Sequence, residues 1–152
     1  EEMAKLCKTR DETLLVVDAI TALGVWDISP ERDGIDVLVT GSQKALMLPP
    51  GLAFVSLSDK AWKLADKAKS PKYYFDLKKE LKNQKTNQTA YTPAVSLIEG
   101  LQESLKIMQE EGLPGIFSRH ARLAKASDLP ITAIEPQDRL FTRGTQARAA
   151  SQ

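Results

Sequence analysis

Two polar side chains stand where apolar segments of the chain end. The run TLLVVDA closes around Asp18, and the run IDVLVT is followed by GSQKALMLPPG, which wedges Lys44 between small and apolar neighbours. A lysine amine can form a Schiff base with an aldehyde, and a partly desolvated setting lowers its pKa so that it also shuttles protons. Pyridoxal phosphate is such an aldehyde, and it needs a carboxylate beside its pyridine nitrogen. That carboxylate keeps the ring protonated and able to accept electrons from a substrate carbanion. Asp18 and Lys44 could fill these two roles. Spacing alone leaves plainer readings open, namely a salt bridge or a lysine that reaches solvent past a sheet edge.

The elements that would position this pair follow from the apolar pattern. Residues 13–19 and 35–40 are short continuous apolar runs, as expected of strands buried on both faces of a helix-covered parallel sheet. Ligands of open α/β sheets gather beyond the carboxyl ends of the strands, which is where Asp18 and the 41–44 turn fall. Residues 51–57 form a third strand. The gap before it is too short for a helical crossover and holds two prolines, so strand 53–57 is predicted to run antiparallel to 36–40.

Helices are predicted over residues 2 to about 9, with Met3, Leu6 and Cys7 on one face, and 59 to about 69, with Trp62, Leu64, Ala65 and Ala68 available for burial. A short helix is expected near 77–83 within a polar, lysine-rich stretch whose Lys78, Lys79, Lys82 and Lys85 make a solvated face. Tyr73, Tyr74 and Phe75 are expected to anchor an extended segment or a subunit contact. The longest helix starts at Thr92-Pro93 and runs to about Glu111, striped by Val95, Leu97, Ile98, Leu101, Leu105 and Met108. After Gly112, residues 113–126 form another helix, and from Ser127 the periodicity stops. Trp26 is read as a packing residue and His120 as a surface or half-buried one.

Composition narrows the function classes. A hydrophobic fraction of 42% with 27% charged residues is globular, and a formal charge of +1 gives no basic excess for a nucleic-acid partner. No stretch reaches the apolar length that spans a bilayer. One cysteine, Cys7, and one histidine, His120, make a disulfide, a cysteine-rich or histidine-based metal site and a serine–histidine relay improbable, and fit a cytoplasmic setting.

VVDAITALG together with GIDVLVTGSQKALMLPPGLAFVSLSDKAW resembles the class V, fold type I pyridoxal-phosphate aminotransferases, and within them the alanine–glyoxylate/serine–pyruvate group. The SQKAL-x-x-PPG stretch carries the resemblance, which runs from about Glu1 to Ala126. It implies an α/β fold, part of a three-layer large domain with a mixed, mostly parallel sheet. Residues 1–126 would belong to that cofactor-binding domain and residues 127–152 would be a divergent tail. Lys44 matches the Schiff-base lysine, Asp18 the partner of the pyridine nitrogen, and Gln43 a residue near the cofactor phosphate. Thr92 matches a threonine that reaches across a homodimer interface to the partner's cofactor phosphate. Thr89 lies near a second such position, and either threonine could equally be a helix cap.

The implied function is transamination between a small amino acid and a 2-oxo acid such as glyoxylate or pyruvate, with pyridoxal 5'-phosphate and without metal, nucleic acid or membrane. Gln43 stands where cysteine desulfurases of the superfamily usually carry histidine, which favours transamination over desulfurase or lyase chemistry. The family's upstream phosphate loop and stacking aromatic, and its downstream carboxylate-clamping arginine, find no match here. Arg139, Arg143 and Arg148 are assigned no such role. The chain is therefore expected to be a fragment, with a non-catalytic remnant as the alternative.

Overall fold

The computed structural model describes residues 2–128. Nine elements follow one another: α1 (Glu2–Lys8), β1 (Val16–Asp18), α2 (Pro30–Asp33), β2 (Val37–Gly41), β3 (Ala53–Leu57), α3 (Asp59–Lys67), α4 (Leu77–Gln84), α5 (Val95–Glu111) and α6 (Leu113–Asp128). The sheet order is β1-β2-β3. β1 lies parallel to β2, with Asp18 level with Val39, and β3 returns antiparallel, from Gly41 opposite Ala53 to Val37 opposite Leu57. The short proline-bearing gap thus sets strand direction as expected. The tail beyond Asp128, with its arginines, lies outside the described residues.

Local chemistry sets most boundaries. Ser29 caps α2, Pro30 occupies its first turn, and Gly34 closes it in the left-handed region at φ 68°. The Ser58 hydroxyl accepts from the Ala61 amide at the start of α3, and Asp76 accepts from the Lys78 and Lys79 amides at the start of α4. α5 has no side-chain cap: its capping residue is Ala94, so neither Thr89 nor Thr92 performs that role.

Several expectations about burial are corrected. β1 has three residues rather than seven, and it is not buried on both faces: Val16 is 59% exposed. The register explains this. Val16, Asp18, Val37, Val39 and Val55 share one face of the sheet, which the described residues leave partly open, whereas Leu38 and Thr40 on the other face are buried. On α1, Met3 and Leu6 point to solvent, and the helix packs instead through its small residues Ala4 and Cys7. A Cβ built on Gly34 would lie 3.1 Å from Ala4 Cβ, so the approach there is close. Ala61 is the buried residue of α3, with Trp62, Leu64 and Ala65 half-buried and Ala68 exposed beyond the helix.

The α5 stripe divides as well. Leu97, Leu101, Ser104 and Met108 turn inward, while Val95, Ile98 and Leu105 are exposed. Trp26 is 69% exposed rather than packed. The 78–85 lysines are only partly a free face, since Lys78 pairs with Asp66 of α3 at 2.8 Å and the Lys79 ammonium lies 4.3 Å over the Tyr91 ring. Tyr91 also stacks on Tyr74, while Tyr73, Tyr74 and Phe75 are all exposed rather than buried anchors.

Lys60 fastens α3 to the end of α1. Its ammonium donates to the carbonyls of Cys7 (2.9 Å), Arg10 (2.9 Å) and Thr13 (2.7 Å), using all three of its protons. Lys60→Met keeps the stem but strands these acceptors. A loss of about 1.5–3 kcal/mol is expected, the scale of hydrogen bonds to a charged donor. Urea unfolding of the complete protein checks it, and an unchanged midpoint would assign the bonds no net worth.

Candidate functional site at the strand ends

β1 and β2 run parallel, so both deliver their carboxyl ends to the same edge of the sheet. The ladder continues one bond past β1, with the Ala19 amide donating to the Val39 carbonyl at 2.8 Å. One Asp18 oxygen, Oδ1, accepts from the Ile20 amide at 3.0 Å, a turn that fixes the carboxylate at the strand end. β2 carries on to Gly41, after which Ser42 turns inward and Gln43 and Lys44 turn outward. Asp18, Gln43 and Lys44 are all exposed. Among the described residues neither Asp18 nor Lys44 forms an ion pair, so the plain salt-bridge reading of the pair is not realised. The expected desolvation of the lysine is not realised either, since the described residues leave it exposed.

Two serines that sequence reasoning passed over hold the loop that carries Lys44. Ser42 is wholly buried: its hydroxyl donates to the Pro49 carbonyl at 2.7 Å and accepts from the Leu52 amide at 3.2 Å. Its main chain pairs with Leu52 and Leu48, and the Met47 amide closes a turn on the Lys44 carbonyl at 2.9 Å. From the other side, the Ser104 hydroxyl of α5 donates to the Leu46 carbonyl at 2.6 Å. The available signal was Ser104's place in the α5 stripe, three residues after Leu101 and four before Met108, where a small polar residue marks a close approach.

Gly41 marks another such approach. A Cβ there would lie 2.7 Å from Gln43 Oε1 and 3.0 Å from Ile20 Cδ1, so the Gln43 side chain folds back over the strand end.

A cavity of about 330 Å³ beside this loop is lined by Lys44, Ala45, Met47, Thr21, Val25, Arg119 and His120. His120, read as surface or half-buried, is half-buried and lines this cavity with Lys44. Thr89 and Thr92 are exposed and lie outside this cavity. A larger cleft, about 740 Å³, sits at the other end of the sheet between Lys8, Gly34, Asp36, Leu57 and Lys60. It contains neither member of the amine–carboxylate pair, so volume alone is a poor guide to the site.

α6 is anchored across Gly112 by a bidentate pair, with Arg119 Nε 2.7 Å from Glu111 Oε1 and Arg119 donating to Oε2 at 2.9 Å. The Arg119 guanidinium holds the Glu111 carboxyl below its ordinary value near 4.5. The contribution to stability is therefore complete above that ordinary value and is lost as pH falls through the lower folded value. Acid unfolding should show this as a small slope below about pH 4.5. Arg119→Ala is expected to remove the slope, and an unaltered acid limb would overturn the assignment.

The sequence model described as Aminotransferase class-V matches residues 1–150. The chain belongs to the class V aminotransferases. Among curated relatives, the soluble hydrogenase 42 kDa subunit of Anabaena cylindrica is 44% identical over 127 residues, covering 84% of this chain and 33% of that protein. Serine–glyoxylate aminotransferase of Arabidopsis thaliana is 43% identical over 121 residues, covering 79% and 30%. The crystal structure of alanine–glyoxylate aminotransferase from Nostoc sp. superposes with a TM-score of 0.76 at 27% identity, over 82% of this chain and 34% of that one.

The chain thus spans about a third of the length of the curated relatives it matches. The mixed sheet and its helices are part of the class V aminotransferase fold, and among the described residues no helix is long and apolar enough to cross a membrane.

Proposed function

We propose that the complete protein transfers an amino group between a small amino acid and a 2-oxo acid such as glyoxylate or pyruvate, with pyridoxal 5'-phosphate held at the β1–β2 strand ends. The observation that carries this reading is the exposed amine of Lys44 and the exposed carboxylate of Asp18, delivered to one sheet edge by adjacent parallel strands and left without ionic partners among the described residues. The glyoxylate acceptor is supported by the Arabidopsis and Nostoc relatives, both named as glyoxylate aminotransferases. The hydrogenase name of the Anabaena relative is not carried over, because amine and carboxylate at a strand edge are the chemistry of the family itself.

Bound there, pyridoxal phosphate supplies an electron sink for a substrate that loses its Cα proton. Lys44 would hold the cofactor covalently through its amine, and as a free amine would take up the proton that the substrate Cα loses. Asp18 would keep a proton on the pyridine nitrogen. Gln43 would lie near the phosphate. Thr92, and Thr89 beside it, would face the cofactor phosphate of a partner subunit in a homodimer, in keeping with their exposure away from Lys44.

Borohydride reduction of the complete protein in the presence of pyridoxal phosphate, followed by peptide mass mapping, tests the reading. A stable pyridoxyl group on Lys44 is expected, and a label confined to other lysines would sink it. With the cofactor placed, a screen of amino donors against glyoxylate and pyruvate tests the substrate class. Release of alanine from cysteine in place of transamination would move the protein to desulfurase chemistry.

A further inference from the structure

Lys44 sits on a loop whose backbone is awkward to hold. Met47 adopts a positive φ of 58°, Pro49 and Pro50 donate no amide hydrogens, and Gly51 has φ 148°. Such a segment lacks a ladder of its own, so its shape depends on what grips it from outside. Ser42 grips it from the strand side, at Pro49 and Leu52. The stretch that includes Lys44 itself, residues 44–47, is gripped from α5.

There Ser104 donates 2.6 Å to the carbonyl of Leu46, bridging 58 positions in the sequence, with both residues buried. A serine inside a helix commonly returns its hydroxyl to the helix carbonyl one turn back. Ser104 instead spends its single donor on the loop. It makes the sole side-chain hydrogen bond between α5 and the loop among the described residues. Apolar contacts flank it along the same helix face. A Cβ on Gly100 would lie 2.9 Å from Leu48, one on Gly51 would lie 2.5 Å from Leu97, and one on Gly24 would lie 3.4 Å from Met108. These contacts set how near the helix comes. The hydroxyl alone is directional, and it fixes the rotation of the peptide two residues beyond Lys44.

We propose that Ser104 is a positioning residue for Lys44: its hydrogen bond to Leu46 holds the 44–47 turn so that the amine points at the strand-end site. The inference rests on the reading of Lys44 as the cofactor anchor. It adds a residue 60 positions away, on another element, that touches neither cofactor nor substrate.

The test uses the complete protein and two readouts. In the cofactor-free protein, amide hydrogen exchange is followed at Met47 and Leu48, whose amides close on Lys44 and Ser42. With pyridoxal phosphate below saturation, the rate of borohydride-trapped label on Lys44 is measured. Ser104→Ala is expected to speed exchange at both amides and slow labelling, each by about five- to tenfold, as for one lost hydrogen bond with a buried acceptor left behind. Ser104→Thr, which retains the hydroxyl, is expected to recover both.

Lys60→Met, destabilising but at the far end of the sheet, controls for a general loss of stability and is expected to change neither readout. Should Ser104→Ala fail to fold, Ser104→Cys, similar in size and a weak donor, is read in the same way. Unchanged exchange and labelling, or equal effects from Lys60→Met, would overturn the positioning role. Absence of label on Lys44 in the unsubstituted protein would instead overturn the cofactor reading itself, so the two failures are distinguishable.

Discussion

Lys44→Ala is expected to abolish covalent attachment of pyridoxal phosphate and to lower transamination by the complete protein by at least about 10²–10⁴-fold, the usual worth of a positioned proton-transfer group. The lysine is asked to do two things, to bond the cofactor through its amine and then to move a proton. Alanine removes both. Lys44→Arg separates charge from nucleophilicity, because a guanidinium stays protonated and cannot form the Schiff base. If Lys44 served only as a positive charge at the sheet edge, arginine would restore most of the activity. The expected result is that arginine is about as inactive as alanine, while both variants, freed of cofactor, unfold with the same midpoint as the cofactor-free unsubstituted protein. Equal stability follows from the structure, where the Lys44 side chain is exposed and in no ion pair among the described residues. Arginine retaining turnover within about tenfold would remove Lys44 from its proposed role. So would a destabilisation of about 1 kcal/mol or more between the cofactor-free proteins, because an exposed side chain without partners normally contributes less than that.

The strands and their directions were legible because each rests on a local signal. Apolar runs ended by glycine or aspartate gave β1 and β2, and the proline-interrupted gap gave the antiparallel return of β3. The helices expected from 59 and near 77 are present, and the structure shows the Ser58 and Asp76 side chains capping their starts. What the sequence hid were contacts between distant segments. Ser104 reads as one polar break in an apolar stripe until its partner Leu46, 58 residues earlier, is seen. Lys60 reads as one more helical lysine until three carbonyls of the α1 exit converge on it. Burial was overestimated on β1 and on Trp26 for a related reason. An apolar pattern records the surface a chain is suited to cover, and the described residues leave one face of this sheet partly open.

Asp18→Asn isolates the second half of the proposed site. Asparagine keeps the size and one acceptor oxygen, so the turn in which Asp18 accepts from the Ile20 amide can survive. It removes the negative charge that would hold a proton on the pyridine nitrogen. A hydrogen bond to a charged partner is worth about 1.5–3 kcal/mol, so turnover or cofactor affinity should fall by roughly 10- to 150-fold, with the label still on Lys44. The two variants therefore fail differently: Lys44→Ala loses attachment, and Asp18→Asn keeps attachment but loses activation. Asp18→Glu preserves the charge and displaces it by a methylene, so it should fall between the unsubstituted protein and Asp18→Asn. Should Asp18→Asn instead match the unsubstituted protein in turnover and affinity, the carboxylate would be a strand-end turn former only. The juxtaposition on which the functional reading stands would then reduce to the lysine alone.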